Sequence, residues 1–214
     1  MQNKKNIPNG WKTIKLGEIG TFSSAGVDKK IEPGEDLVHL LNYMDVYRNT
    51  FLYSKDAAMV VSAPDAKIKQ CDLKKGDIFF TPSSETMDDI AHSAVVMEDI
   101  DNGVYSYHIV RLRPKIPLDI VFSAYMCQTD DFYKQAYSLC CGSGQRYVLS
   151  QNDFRKIEVT LPSDIAEQKA IADVLQSCDL EIEKLKTKLD LLKLQKKGLM
   201  QQLLTGKIRV KVDK

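Results

Sequence analysis

With 214 residues, 43% of them hydrophobic, the chain is long enough to bury one substantial core. Its net charge of +1 hides an uneven distribution, because residues 181–214 hold ten Lys or Arg against four Asp or Glu, while the rest of the chain is mildly acidic. No apolar stretch reaches 18 residues and no apolar run follows the first residues, so we expect neither a membrane span nor a signal peptide, and we expect a cytoplasmic protein.

Alternating apolar and polar residues predict a sheet-rich first part of the chain. Turns, connections or loops are expected at residues 7–10, 16–20, 42–49, 75–77 and 101–103. The predicted strands cover residues 11–16, 21–24, 36–43, the buried stretch after residue 77, 94–97, 105–112 and 157–161. Helical spacing predicts two covering helices, at 118–127 and 131–139. The short turn between two of the strands favours a mixed or antiparallel sheet.

The longest periodic stretch runs from Ser163 to Leu204 and predicts a single helix. With Ile171 at position d of a heptad, eight of the ten a and d positions up to Leu203 are Leu or Ile, and the other two are Cys178 and Lys196. We call these ten positions the seam. A seam this narrow is typical of a helix that pairs with another helix. The predicted dimer-interface residues are Ile171, Leu175, Ile182, Leu185, Leu189, Leu192, Leu199 and Leu203.

Antiparallel pairing of this helix is favoured by Lys196, because a parallel pair would place two ammonium groups face to face. Asp164 and Glu167 have the spacing of a capping box at the start of the helix, and Gly206 stands where a C-terminal cap is expected. The seam corresponds to a rod of about 50 Å, at about 1.5 Å per residue.

Together these elements predict an α/β (α+β) fold in three regions. Residues 1–162 form a mixed-sheet domain, residues 163–206 a long coiled-coil helix, and residues 207–214 a short C-terminal tail. Most of the basic surplus falls on the helix, so the globular domain is expected to carry a net negative charge.

Two loops have the composition of a nucleic-acid contact. Residues 141–153 combine small residues with Gln, Arg and Asn, whose paired hydrogen-bonding atoms match base edges, although a glycine turn before a Ser- or Asx-capped bend explains the same residues. Lys29 and Lys30 follow Gly26 closely and suit a phosphate contact, with a solvated loop as the alternative. The stretch between Lys75 and Arg111 holds acidic residues and no Lys or Arg, so it is not expected to meet phosphates.

Motifs of catalysis are missing from the sequence. There is no dinucleotide or P-loop glycine motif, and the three histidines are isolated from one another. The five cysteines are expected to be reduced, and the adjacent pair Cys140 and Cys141 has no accompanying metal-ligand spacing. We therefore predict a non-catalytic protein with no metal and no cofactor.

Several segments, in order along the chain, resemble the specificity (S) subunit of type I DNA restriction-modification enzymes. Each region of the chain contributes to the resemblance, and the C-terminal helix contributes the closest match. The matching segments are Ile7–Trp11, Leu16–Ile19, Lys75–Phe80, Leu149–Phe154 with Ile157, Val159, Leu161 and Pro162, Glu167–Ala172 with Leu175 and Ile182, and Leu203–Val210.

The resemblance implies a target recognition domain that binds one half of a bipartite site in double-stranded DNA. Full-length S subunits carry two such domains and two helices that pack antiparallel, and DNA methyltransferase (M) subunits attach nearby. Because no internal repeat is found here, the chain looks like a half-length form that dimerises through its helix to read an inverted repeat. Pairing with a different half-subunit remains open, as does the presence of an endonuclease (R) subunit.

Residue type, loop placement and this resemblance together suggest the DNA-binding residues. Those expected to face bases are Gln145, Arg146, Tyr147 and Gln151, and those expected nearer phosphates are Lys29, Lys30, Arg48 and Ser143. Alternative readings are an inactive fragment, a general coiled-coil interaction protein and, with less support, a DNA-modifying enzyme.

Overall fold

The computed structural model describes residues 7–144 and 146–211, and every structural statement below concerns those ranges. Their strands alternate with short helices until the last strand, after which one long helix follows. The strands are β1 (Trp11–Lys15), β2 (Gly20–Ser23), β3 (Asp36–Leu41), β4 (Phe51–Leu52), β5 (Met59–Ala63), β6 (Asp72–Leu73), β7 (Ile78–Phe80), β8 (Ser83–Ser84), β9 (Ser93–Val96), β10 (Ile100–Tyr105), β11 (Val110–Pro114), β12 (Cys141–Ser143), β13 (Arg146–Val148) and β14 (Glu158–Pro162).

The helices divide into six short ones and one long one. They are α1 (Leu16–Ile19), α2 (Tyr43–Arg48), α3 (Asp65–Gln70), α4 (Ile120–Met126), α5 (Asp130–Leu139), α6 (Gln151–Phe154) and α7 (Ile165–Leu203). Single 3-10 turns lie at Ser54–Asp56 and Met87–Asp89.

Two larger sheets form the centre of the fold. One has the order β2-β11-β7-β9-β4 and the other the order β5-β3-β10-β6. In each sheet one pair of strands is parallel, β4 with β9 and β3 with β10, and the other pairs are antiparallel. The predicted mixed sheet and long C-terminal helix are therefore confirmed.

The central strand β7 divides the hydrophobic core into two clusters. Successive side chains of a strand point to opposite faces. Ile78 and Phe80 accordingly pack in one cluster and Phe79 in the other, and all three are fully buried. Phe80 lies 4.9 Å from Phe154, centroid to centroid, which connects the sheet to the segment that follows the β12–β13 hairpin.

Buried charges fix the turn at residues 75–77 against β11. Asp77 is 1% exposed and accepts hydrogen bonds from Nε and Nη2 of Arg113, each at 2.7 Å, and from the Lys74 backbone N–H at 2.9 Å. The bond to Asp77 raises the pKa of Arg113, and Asp72 adds a second carboxylate contact to it at 3.1 Å. Asp77 is thus a structural residue of the interior and not part of an acidic surface.

Four local predictions differ from the structure. The expected loop at residues 42–49 contains α2, because the Asp45 carboxylate accepts from the Asn42 backbone N–H at 2.8 Å and so supports a helix start. The expected turn at 101–103 lies inside β10, where Asn102 takes a positive φ of 53° and the pairing register with β6 shifts. The expected strand at 105–112 is broken at residues 106–109, and the connection at 16–20 contains α1.

The chain divides into two compact units after Ala172. The first turns of α7 belong to the first unit, where Gln168 is 1% exposed. Its amide Nε2 donates to the Pro162 carbonyl at 2.9 Å, and its Oε1 accepts from the Asp119 N–H at 2.9 Å. These bonds hold the start of α7 on the domain.

The ends of α7 match the predicted caps only in part. Asp164 accepts from the Ala166 N–H at 2.9 Å, as expected of a cap. Glu167 instead accepts from the Trp11 indole at 2.9 Å, which joins the start of α7 to the start of β1. Gly206 has φ of 72° and donates its N–H to Leu203, as expected of a C-terminal glycine cap.

The second unit consists of the rest of α7 and the segment after it. Seven of the eight predicted interface residues are exposed along it, between 38% for Leu175 and 55% for Leu185. The eighth, Ile171, lies in the first unit and packs against the core of the domain. The predicted boundaries at residues 1 and 214 fall outside the described ranges, which exclude residues 1–6 and 212–214.

Candidate nucleic-acid interface

A close approach of two backbones brings the loop of Lys29 and Lys30 to a second loop at residues 106–109. Val27 donates its N–H to the Tyr105 carbonyl at 2.8 Å and forms a parallel bridge with Ser106. A Cβ on Gly26 would lie 2.0 Å from the Tyr107 nitrogen, so only glycine fits. The glycine that precedes the two lysines therefore has a packing role.

Positive charges from the Lys29 loop and from the hairpin β12–β13 both act on His108, which lies in the second loop. The pKa of His108 is lowered first by burial and then by the positive charges of Lys29 and Arg146. Two of the predicted DNA-binding residues therefore lie close enough to His108 for their charges to act on it. Tyr107 is 51% exposed and stacks on His108 at 4.0 Å between ring centroids. We call this surface, defined by Lys29, Tyr107, His108 and Arg146, the basic face.

The predicted groove-reading loop is a hairpin followed by a short helix. In β12–β13, Ser143 pairs with Arg146 and Gly142 pairs with Tyr147, and β13 pairs in turn with β8. Gly142 has φ of 156°, and a Cβ there would lie 2.2 Å from the Arg146 carbonyl, so the glycine permits the hairpin to close. Ser143 and Arg146 are exposed and Tyr147 is half-buried against the core, while Gln145 lies outside the described residues.

Helix α6 connects the hairpin side of the domain to the lysine loop. Ser150 caps it by accepting from the Asp153 N–H at 3.2 Å, which fulfils the alternative of a Ser-capped bend. The Gln151 amide donates to the Ser24 hydroxyl, so Gln151 already has a protein partner in the free chain. Arg155 lies over the Phe22 ring at 5.9 Å from its centroid.

The remaining predicted phosphate contacts lie near the basic face. Lys30 is exposed and forms an ion pair with Glu32 at 3.0 Å, which a phosphate would have to replace. Arg48 is exposed at the end of α2. Burial raises the pKa of Asp45, whereas the charges of Lys29 and Arg48 act in the opposite direction, so both cations influence the same carboxyl group.

A cleft of about 610 Å³ lies beside α2 and continues the surface that Arg146 begins. Aromatic and hydroxyl side chains provide most of its polar lining. Its wall is formed by Tyr43, Met44, Tyr47, Ser83, Ser84, Glu85, Thr86, Asp89 and Arg146. The sequence indicated this wall only weakly, although Tyr43 and Tyr47 are spaced i, i+4, as two residues on one helical face are.

Much of the acidic stretch between Lys75 and Arg111 has structural partners. Asp89 accepts from Tyr47 and contacts the His92 ring at 2.8 Å. Asp99 accepts from the Lys75 N–H at 2.9 Å, and Glu98 accepts from the backbone and hydroxyl of Ser54. These carboxylates stabilise turns of the domain by accepting hydrogen bonds. Their structural role accounts for an acidic stretch in a domain that also has a basic face.

Metal-ligand clusters and membrane-spanning helices are both absent from the described residues. No group of three or more His, Cys, Asp or Glu side chains in ranges 7–144 and 146–211 could hold a metal ion. In the same ranges no helix combines the length and the apolar character that crossing a bilayer requires.

Comparison with known proteins gives consistent matches over nearly the whole chain. The family model for the type I restriction modification DNA specificity domain matches residues 8–194. The type I restriction enzyme MjaVIII specificity subunit of Methanocaldococcus jannaschii is 28% identical over 207 residues, which cover 96% of this chain and 48% of that protein. The chain thus spans about half the length of the curated relatives it matches.

Solved structures show the same fold. A chain from a structure on complex assembly and conformational transition of the type I R-M system aligns with a TM-score of 0.67 at 15% identity, over 94% of this chain and 46% of that one. The type I S subunit from M. genitalium aligns with a TM-score of 0.55 at 14% identity, over 94% of this chain and 47% of that one.

These matches confirm the resemblance seen in the sequence. The relative is named as a specificity subunit, in agreement with the predicted recognition role rather than a catalytic one. Because the family model covers most of the chain, the protein belongs to the type I restriction-modification DNA specificity family.

Proposed function

We propose that the chain binds one half of a bipartite DNA site through its globular domain and pairs through α7 with a second copy, which binds the other half. The division proposed is a recognition domain at residues 1–162, a spacer helix at 163–206 and a tail at 207–214. The observation that carries the proposal is the basic face, where the exposed cations Lys29 and Arg146 both act on His108, on a domain that belongs to a DNA specificity family. A coiled-coil protein without a DNA role would not need this arrangement.

Dimerisation is supported by the exposure of the seam. A row of half-exposed leucines on one helix is an apolar surface that water solvates poorly, and pairing would bury it. An antiparallel pair would keep the two Lys196 side chains apart. Two identical chains related by a two-fold axis would read an inverted repeat.

Different variants of the basic face should separate sequence choice from general DNA affinity. Arg146→Ala is expected to reduce discrimination between sites by about 10-fold or more, because a bidentate arginine contact to guanine is lost. Lys29→Ala is expected to weaken all DNA sequences about equally and to lower the dependence of log K on log salt by about 1. Competition binding at several salt concentrations, with the full chain and its methyltransferase subunits, measures both. Equal effects of the two variants would contradict the assignment.

Docking of methyltransferase subunits has its own support in a second apolar stripe on α7. Leu180, Leu191 and Leu194 are 51%, 63% and 67% exposed, yet they do not belong to the seam. Leu191 lies two residues after Leu189, which is about 200° around the helix, so the stripe and the seam face different directions. We propose that the stripe contacts the methyltransferase subunits while the seam is occupied by the second copy.

Leu191→Glu should distinguish the two surfaces of α7. It is expected to leave the dimer intact by sedimentation and to weaken methyltransferase binding by about 10-fold or more, because a carboxylate replaces a leucine that the methyltransferase subunit would bury. Gln201→Glu is the matched control, since it adds the same charge at an exposed polar position. Loss of the dimer in Leu191→Glu, or unchanged methyltransferase binding in a pull-down titration, would count against this docking surface.

A further inference from the structure

We propose that the cleft beside α2 reads one G·C base pair from the major groove, with Arg146 contacting guanine and Glu85 contacting the cytosine amino group. This inference rests on the proposed function and adds a residue from the acidic stretch to the specificity determinants. It also gives a role to the aromatic side chains of α2, which the resemblance did not include.

The aromatic wall of the cleft is fixed before DNA arrives. The rings of Tyr43 and Tyr47 are stacked, with centroids 6.1 Å apart and planes at 18°. The Tyr43 hydroxyl donates to the Ser83 carbonyl at 2.6 Å, and the Tyr47 hydroxyl donates to Asp89 at 3.1 Å. Since these polar atoms are already paired, the two tyrosines provide shape and leave hydrogen bonding with a ligand to other residues.

Two unpaired charges of opposite sign remain in the cleft. Glu85 and Arg146 both line it and are both exposed, and neither side chain forms a hydrogen bond or an ion pair with another described residue. Tyr147 pairs with Ser84 at the end of the ladder between β13 and β8, and Arg146 and Glu85 are the next residues beyond this pair. A carboxylate and a guanidinium that line the same cleft without pairing can both bind a ligand that has acceptors and a donor.

A G·C pair has this pattern at its major-groove edge. Guanine offers O6 and N7 as two acceptors that match the arginine fork, and cytosine offers its N4 amino group as a donor to a carboxylate. An A·T pair has no base with two adjacent acceptors for the fork. A backbone phosphate fits poorly, because it would be repelled by Glu85 and by Asp89, which also lines the cleft.

The test is selection of binding sites from a randomised duplex library by the full chain with its methyltransferase subunits. Glu85→Ala is expected to lose at least about 10-fold of the preference for G·C at one position, and Arg146→Ala to lose it at the same position. Asp88→Ala is the matched control, because it removes an exposed carboxylate nearby that does not line the cleft. Melting temperatures should be the same for all three variants and the native chain.

The outcomes separate this inference from the proposed function. If the native protein selects a defined site and Glu85→Ala selects the same site with unchanged preference at every position, the cleft assignment is wrong and the proposed function stands. The cleft assignment would also be overturned if Glu85→Ala lowered the base preference evenly at all positions, or if Asp88→Ala lowered it in the same way. If the native protein selects no sequence at all, the proposed function itself fails.

Discussion

Replacing Leu189 by Asp is expected to convert the protein from a dimer to a monomer and to abolish binding to a two-half site. Leu189 is 52% exposed in the single chain and lies near the middle of the seam. Burying one leucine contributes about 2 kcal/mol, and the two-fold axis makes the loss occur twice, so the dimer should weaken by about 4 kcal/mol, or about 1000-fold. Sedimentation across a range of concentrations measures the change.

Thr187→Asp serves as the control for this experiment. Thr187 lies on the same part of α7 but outside the seam, so the variant introduces the same residue without removing a seam leucine. It should remain a dimer. If Leu189→Asp still forms a dimer with unchanged affinity, the two copies associate through another surface.

Replacing Asp77 by Ala is expected to cost the recognition domain about 3 kcal/mol of its free energy of unfolding. Removing one partner of a buried ion pair typically costs about 3–5 kcal/mol, and the lower end applies because Arg113 keeps a contact with Asp72 and is 33% exposed. The backbone N–H of Lys74 also loses its acceptor. Urea unfolding monitored by the fluorescence of Trp11 measures the change.

Asp77→Asn isolates the charge from the hydrogen bonds. The amide oxygen can still accept from the Lys74 N–H or from Arg113, so this variant should lose less stability than Asp77→Ala. A loss below about 1 kcal/mol in Asp77→Ala would mean that the turn at residues 75–77 is held mainly by other contacts.

The sequence predicted best where one periodic pattern determined one element. The heptads of α7 and the alternation of apolar and polar residues in β1 and β3 are local patterns, and the structure has these elements at nearly the expected positions. The family resemblance predicted more of the function than any single motif did. Segments with competing local signals were predicted less well.

Helix α2 shows why local signals can mislead. Its residues have polar and aromatic character that suggested a loop, but the bond from the Asn42 backbone N–H to the Asp45 carboxylate favours a helix start. The break after Tyr105 depends on a contact with the distant Val27, which no local pattern contains. The basic face and the cleft both arise from such long-range contacts, so the sequence indicated some of their residues but not their grouping.

The bond between Trp11 and Glu167 has a consequence for how longer relatives relate to this chain. It places the beginning of the recognition domain beside the beginning of α7, and β1 pairs with β14 over the same region. In the proposed antiparallel pair, the end of one helix lies beside the beginning of the other. A peptide linker from the end of one helix to the start of the other copy's domain would join two copies head to tail, so gene duplication and fusion would give a single polypeptide of about the length of the curated relatives.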